Sequence, residues 1–519
     1  MRKQNKKVLL LLLVAMLSTM FAGCGAAKTE SNSSAGSEKT LVLGAYADFK
    51  QGSGTEGQSM VFDTLTSMNS KMEVQPNIIT SWETNSDCSE YTLEVKEGVK
   101  FSDGTPLTAD IVKYSLEAWA PYRDGSFMYS LDSINVVDDH TLTVKLTKGY
   151  GNLPIEMSRL YVSLPDSLDD QGNVVNWVGT GPFVLGDYQL DQSALLKTNK
   201  EYWNKERTPK IDSVKWVVIP DENARAMALQ SGEVDALGVS EHYCTLPYST
   251  VAEFMKNDKF TVDLQQDLGL ISTYVYNYKQ GSMTDINLRK AVTCAIDRDT
   301  IASTIICNVG KASGDFMTRS VKYSPAKETE YTYDVQAAKS ALQAGGYTDS
   351  DGDGIVEKNG QPIKLTFLVE SGETSRSVAV FVQDCLRKAG IDTDLEVLDN
   401  SAFSERVAKG DFDISYTHPW LTTPQTYMSW RGATSEYDDF GIGFGVSSNF
   451  EGYLNSVLTS TNTEDLQATF DKIWQEEYAF YPGTGLYIQP RAFIHKKNIS
   501  GLIFNPSSEI IDLSGVTID

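Results

Sequence analysis

The residues able to do chemistry in this sequence are mostly carboxylates and phenols, and few are spaced for catalysis. The four histidines, His140, His242, His418 and His495, stand far apart, so none forms a pair at zinc-ligand spacing. There is no G-x-x-x-x-G-K-[ST] phosphate loop, no H-E-x-x-H and no G-x-S-x-G elbow. With 69 Asp and Glu, carboxylate pairs are common and no one pair points to glycoside hydrolysis. Asp349-Ser350-Asp351-Gly352-Asp353-Gly354 matches the opening ligand positions of a calcium loop, but Gly360 stands where a bidentate Glu is required. A surface turn is expected there, and calcium binding stays open. The enzyme reading gains no positive support.

Cysteine chemistry points elsewhere. Arg2, Lys3, Lys6 and Lys7 precede an apolar stretch from Val8 to Phe21, shorter than the roughly 20 apolar residues a spanning helix needs. It reads as a secretory signal peptide. Its end, Phe21-Ala22-Gly23-Cys24, resembles a bacterial lipobox, which implies cleavage after residue 23 and lipid on the Cys24 sulfur. Residues 24–39 then read as a small, polar tether. The expectation is an extracytoplasmic protein anchored to the bacterial cell membrane through Cys24. Of the remaining cysteines, Cys88, Cys244, Cys294, Cys307 and Cys385, none sits in C-x-x-C, and Cys294 and Cys385 lie in apolar helical patterns. No disulfide framework is indicated.

A net charge of −24 excludes a nucleic-acid partner, because a phosphate backbone would repel the chain. The 25 Tyr, 20 Phe and 8 Trp supply ample core surface, so disorder is excluded for most of the 519 residues. Leu41-Val42-Leu43 begins a first strand, and Tyr91, Leu93, Val95, Val99 and Phe101 alternate as a half-buried strand does. A helix follows Asp103-Gly104-Thr105-Pro106, with Ile111, Val112, Ser115, Leu116 and Trp119 on one face. Ser133 to Leu146 predicts a hairpin bent at Asp138-Asp139-His140. From Ile211 a strand, carrying Val214 to Ile219, leads to a helix from Glu222 that stops at Gly232. Further on, Asn287 and Asp334 are placed to cap helices. Strands at 365–369, 391–397 and 412–416 then alternate with helices at 378–386 and 403–408. That β-α-β-α-β order predicts an α/β lobe, and the length accommodates two.

Several dispersed pieces, in order, carry a resemblance. They are Pro76 to Glu83, Gly98 to Asp110, Gly179-Thr180-Gly181-Pro182-Phe183, Tyr202-Trp203-Asn204, Ser231 to Asp235, Leu288-Arg289-Lys290-Ala291, Ala295 to Arg298 and Tyr333-Asp334. Together they resemble the family-5 extracellular solute-binding proteins, which serve peptide and nickel ABC importers, from about residue 41 to the C-terminus. The resemblance implies an α/β fold of two lobes closing as a clamp, of class II type, with an extra subdomain in lobe I. Lobe I would hold 40–272 and 486–519, and lobe II 273–485, with hinge strands near Thr273–Asn277 and Gly485–Gln489.

It also implies a function. The protein would capture a short peptide or a nickel chelate and deliver it to an ABC permease, whose ATPase is a separate protein. It would work as a monomer, without a resident cofactor; nickel would be cargo. His418 and Trp420, in Asp413-Ile414-Ser415-Tyr416-Thr417-His418-Pro419-Trp420, resemble the segment with which nickel-type members present a His and a Trp. This favours a compact chelate or a dipeptide-sized ligand. Arg123 and Arg159 resemble in placement the arginines that hold a chelator's carboxylates, for which a guanidinium fork is suited. Tyr46, after the first strand, and Tyr416 complete the candidate ligand-binding set. Each has a plainer reading: His418 as a strand end, Arg123 as surface, Arg159 as a structural ion pair, and Tyr416 and Trp420 as core. A secreted lipoprotein hydrolase and a sensor-coupled receptor of the same fold remain alternatives.

Overall fold

The first strand, Thr40–Ala45 (β1), buries Leu41 and Leu43 on either side of the half-buried Val42 and stays buried through Gly44 and Ala45. This computed structural model describes residues 38–519 except 51–56, 70, 123–125, 239–245, 327–330, 418–422, 425–448 and 505–510. Ile79–Thr84 (β2), Glu90–Val95 (β3), Leu131–Asp138 (β4) and Thr141–Leu146 (β5) form a four-stranded antiparallel sheet in the order β2-β3-β5-β4. In β3, Tyr91, Leu93 and Val95 point into the core. The β4–β5 hairpin turns at Asp139-His140, where Asp138 Oδ1 accepts from His140 N at 2.9 Å. Helix Ala109–Trp119 (α1) packs Val112, Leu116 and Trp119 inward. Val99 and Phe101 do not prolong a strand as expected. They close a short loop instead, Phe101 N bonding Thr105 O and Leu107 N bonding Val99 O.

The central sheet is larger. It contains Phe183–Gln189 (β6), Ser193–Thr198 (β7), Ser213–Val218 (β8), Ala236–Leu237 (β9), Phe260–Tyr276 (β10), Lys311–Ala312 (β11), Lys364–Glu370 (β12), Asp392–Leu398 (β13), Ile414–Thr417 (β14) and Gly483–Lys496 (β15). Among the described residues the order is β13-β12-β14-β10-β15-β9-β1-β8-β7-β6, with β11 also pairing β15. The helices between these strands are Glu222–Ser231 (α2), Tyr248–Met255 (α3), Ile286–Ala295 (α4), Val335–Ala344 (α5), Glu373–Ala389 (α6), Asn400–Ala408 (α7), Phe450–Leu458 (α8) and Thr463–Phe480 (α9). Strand β12 pairs in parallel with β13 and with β14, and α6 and α7 make the crossovers, as the sequence pattern predicts.

Capping chemistry sets the helix ends. Asp334 accepts from Gln336 N and Ala337 N to start α5, and Gly390 closes α6 at φ 99°, a conformation costly for any residue with a Cβ. Helix α4 is capped by Asp285, not by Asn287. The helix begins earlier than expected, and Asp285 Oδ1 takes the Asn287 N–H at 2.9 Å.

The apolar residues gather in separate cores. One joins Leu41, Leu43, Leu93, Trp119 and Trp216 with Phe493, Leu513 and Val516 from the chain's end. Another joins Tyr274, Tyr276, Val292, Phe367, Val382, Leu486 and Tyr487. A smaller core of Leu229, Val251, Phe254, Val309, Ala492 and Ile494 lies along β10 and β15. Those two strands therefore run from core to core. They pair antiparallel from Phe260–Lys496 to Val275–Gly483, with register breaks between Gln265 and Leu270 and between Ser272 and Thr273.

Buried polar hubs hold the dispersed sequence pieces. The Asp63 carboxylate accepts from Thr180 Oγ1 at 2.9 Å, Tyr202 OH at 2.8 Å and Trp203 Nε1 at 2.7 Å. Burial pushes this carboxyl up, against the pull of those three donors. Gly179 is glycine because a Cβ there would stand 2.0 Å from Val61 O. Arg298 is 5% exposed and donates to Gly485 O at 2.8 Å, to Ile296 O and Thr293 O at 3.1 Å each, and to Thr484 Oγ1. It thus satisfies orphan carbonyls at the end of α4 and fastens that end to β15. Arg289 does the same for α9, donating to Phe480 O and Tyr481 O.

Candidate functional site

Where β10, β14 and β15 lie side by side, one face carries a polar cluster framed by tyrosines. Cross-strand register sets Ser272 opposite Tyr487 and Tyr274 opposite Tyr416. Gln489 Nε2 donates to Ser272 Oγ at 2.7 Å and to Tyr416 OH at 3.0 Å, and those two hydroxyls lie 3.3 Å apart. Tyr248, from α3, meets Tyr487 edge-on at 6.3 Å and packs against both the second and the smaller core. Tyr274 stands edge-on to Phe367 at 4.9 Å and to Tyr416 at 6.2 Å. Burial pushes the hydroxyls of Tyr274, Tyr416 and Tyr487 up, so these phenols stay neutral and each can both donate and accept.

Two polar atoms in this cluster lack a partner among the described residues. They are Gln489 Oε1, in a residue 5% exposed, and Tyr274 OH, in one 1% exposed. Buried polar atoms are rarely left this way, and such places hold water or ligand.

Of the residues the sequence singles out, Tyr416 lies inside this cluster on β14. Tyr46 follows β1 and is half-buried. Arg159 is half-buried at the end of the turn Met157–Arg159, beside the fully buried Met157 and Leu160 of the first core. Arg123, His418, Trp420 and Cys24 lie outside the described residues, as does the tether up to residue 37. Ser272, Tyr248 and the Gln489 side chain were not among the candidates. The available signal was Gln489 itself, a polar residue closing the apolar run Leu486-Tyr487-Ile488 in a strand buried on both sides.

The acidic loop takes definite shape. Asp349 accepts from Gly352 N at 2.7 Å and Gly354 N at 3.0 Å, and Asp353 Oδ1 accepts from Ile355 N at 2.8 Å. Asp349, Asp351, Asp353 and the buried Glu357 each bring one ligand oxygen to within 4.8 Å of the others. The fourth carboxylate is thus Glu357, nearer in sequence than the Gly360 position where the loop pattern was tested. Oxygen sets of this kind suit a hard cation. Cys88, Cys294, Cys307 and Cys385 are free thiols, and Cys244 lies outside the described residues. Among the described residues, no helix is long and apolar enough to cross a membrane.

Comparison with known proteins places this geometry. Residues 73–439 match the bacterial extracellular solute-binding proteins, family 5 Middle. An oligopeptide-binding protein, AppA of Bacillus subtilis, is 25% identical, with 98% of each chain covered. The nickel-binding periplasmic protein of Escherichia coli is 25% identical over 80% of this chain and 81% of its own. Among solved structures, NikA from Brucella suis in complex with Fe(III)-EDTA superposes with a TM-score of 0.83 at 25% identity, covering 92% of this chain and all of that one (100%).

Proposed function

Because the chain belongs to the family-5 bacterial extracellular solute-binding proteins, which are binding proteins and not enzymes, we propose that it captures a short peptide or a nickel chelate between two lobes and delivers it to an ABC permease. A compact ligand, of chelate or dipeptide size, is the preferred cargo. In this reading lobe I comprises 40–272 and 486–519, lobe II comprises 273–485, and Cys24 carries the membrane anchor. The family sets aside the hydrolase alternative.

The observation that carries the reading is the pair β10 and β15. These strands connect separately packed cores, and they carry Ser272 and Gln489, which meet Tyr416 of the neighbouring β14. Two cores bridged by these strands can rotate about them once the contacts of residues 149–151 with 458–460 open, whereas motion inside either core would break close packing. Ligand that touches both sides then favours the closed arrangement, by no more than its differential affinity for the two states.

Small-angle scattering tests this. Adding Ni(II) with L-histidine, or a dipeptide such as Ala-Ala, should reduce the radius of gyration of the protein with whichever probe binds. An unchanged radius on saturation would remove the closing clamp from the reading.

A further inference from the structure

We propose that Gln489 reads an N–H group of the captured solute, its side-chain oxygen accepting from an α-amino or amide nitrogen. The inference rests on the solute-capture reading above and adds to it a residue and a ligand chemistry.

Gln489 has a full amide to satisfy, and the protein satisfies only half of it. Both Nε2 hydrogens are engaged, on Ser272 Oγ at 2.7 Å and on Tyr416 OH at 3.0 Å. Oε1 is buried with no partner among the described residues. Turning the amide over does not remove the vacancy, since it would offer the oxygen to the two hydroxyls and strand the nitrogen instead. The structure has the nitrogen inward. Ser272 then accepts from Gln489 and keeps its own proton for the Tyr416 hydroxyl. What remains is an acceptor held at a fixed angle by two strands and a tyrosine.

Its place is where a clamp would meet its cargo. Gln489 pairs with Leu270 at one edge of the β10 register break, between Tyr487 of the second core and Ala492 of the smaller one. An acceptor left unpaired in a closed site costs stability, and a ligand N–H recovers it. The closed state is therefore favoured only by a solute with that donor. Peptides and amino-acid chelates of nickel both bring a nitrogen that carries hydrogen. Tyr416 becomes a positioning residue that fixes the amide.

Isothermal titration of the detergent-purified full chain with Ala-Ala, with Ala-Ala-Ala, and with Ni(II) plus L-histidine tests the assignment, beside thermal melts without ligand. With whichever probe binds the wild type, Gln489→Met should weaken binding by about tenfold or more, the loss of one buried hydrogen bond. Gln489→Asn keeps the amide but withdraws it by one methylene. It should lose affinity similarly, and it decides the matter if the methionine variant does not fold. Unchanged affinity in either folded variant overturns the role of Gln489 while leaving solute capture intact. A wild type that binds none of the three probes overturns the capture reading, and this inference with it.

Discussion

Arg298→Met should lower the stability of the folded chain by about 4 kcal/mol, at the upper end of what single substitutions do. The guanidinium is buried and reaches Gly485 O, Ile296 O, Thr293 O and Thr484 Oγ1. Methionine fills much of the same volume and offers none of the donors. The carbonyls at the end of α4 would then be buried unpaired, and the start of β15 would lose its fastening to the second core. Denaturant unfolding followed by tryptophan fluorescence measures the effect. A loss below about 1 kcal/mol, the net value of an ordinary hydrogen bond, would mean that water replaces the guanidinium and that Arg298 is not a structural hub.

Cys24→Ser should move the protein from the membrane fraction to the soluble extracytoplasmic fraction almost completely. The anchor in this account is acyl chains on one sulfur, and two chains hold stably where one does not. The apolar stretch from Val8 to Phe21 is shorter than the roughly 20 apolar residues a spanning helix needs, so it does not replace the acyl anchor. Fractionation of cells expressing each form reads the result directly. Persistent membrane association of the serine form would replace lipidation by an uncleaved signal segment.

Local signals in the sequence were readable because they act over a few residues. The alternation at Tyr91, Leu93 and Val95, the Asp334 cap and the Gly390 stop each depend on neighbours within one turn or one strand. Two local expectations failed for equally local reasons. Asp285 starts α4 before Asn287 and takes the backbone N–H of Asn287 itself, and Val99 and Phe101 bond their own loop instead of a neighbouring strand.

The candidate site was less legible. Tyr416 could be singled out, but its partners Ser272 and Gln489 are 144 and 73 residues away in sequence. Pairing at such separations depends on the order of strands in the sheet, and the break between Gln265 and Leu270 shifts which side chains meet. No periodicity within either strand reports that shift. Likewise, Glu357 joins the aspartate loop because the turns at Gly352 and Gly354 fold back on it, whereas the linear pattern looked for a ligand further on.

Native mass spectrometry of the detergent-purified protein, as isolated and after addition of nickel with free histidine, tests solute capture most directly. The account predicts a bound mass in one of two forms. A nickel–histidine increment that disappears in His418→Ala would identify a chelate receptor, and a ladder of di- to pentapeptide masses indifferent to nickel would identify a peptide receptor. A spectrum showing only the mass of the protein itself in every condition, with no added mass at saturating peptide or nickel–histidine, would contradict it.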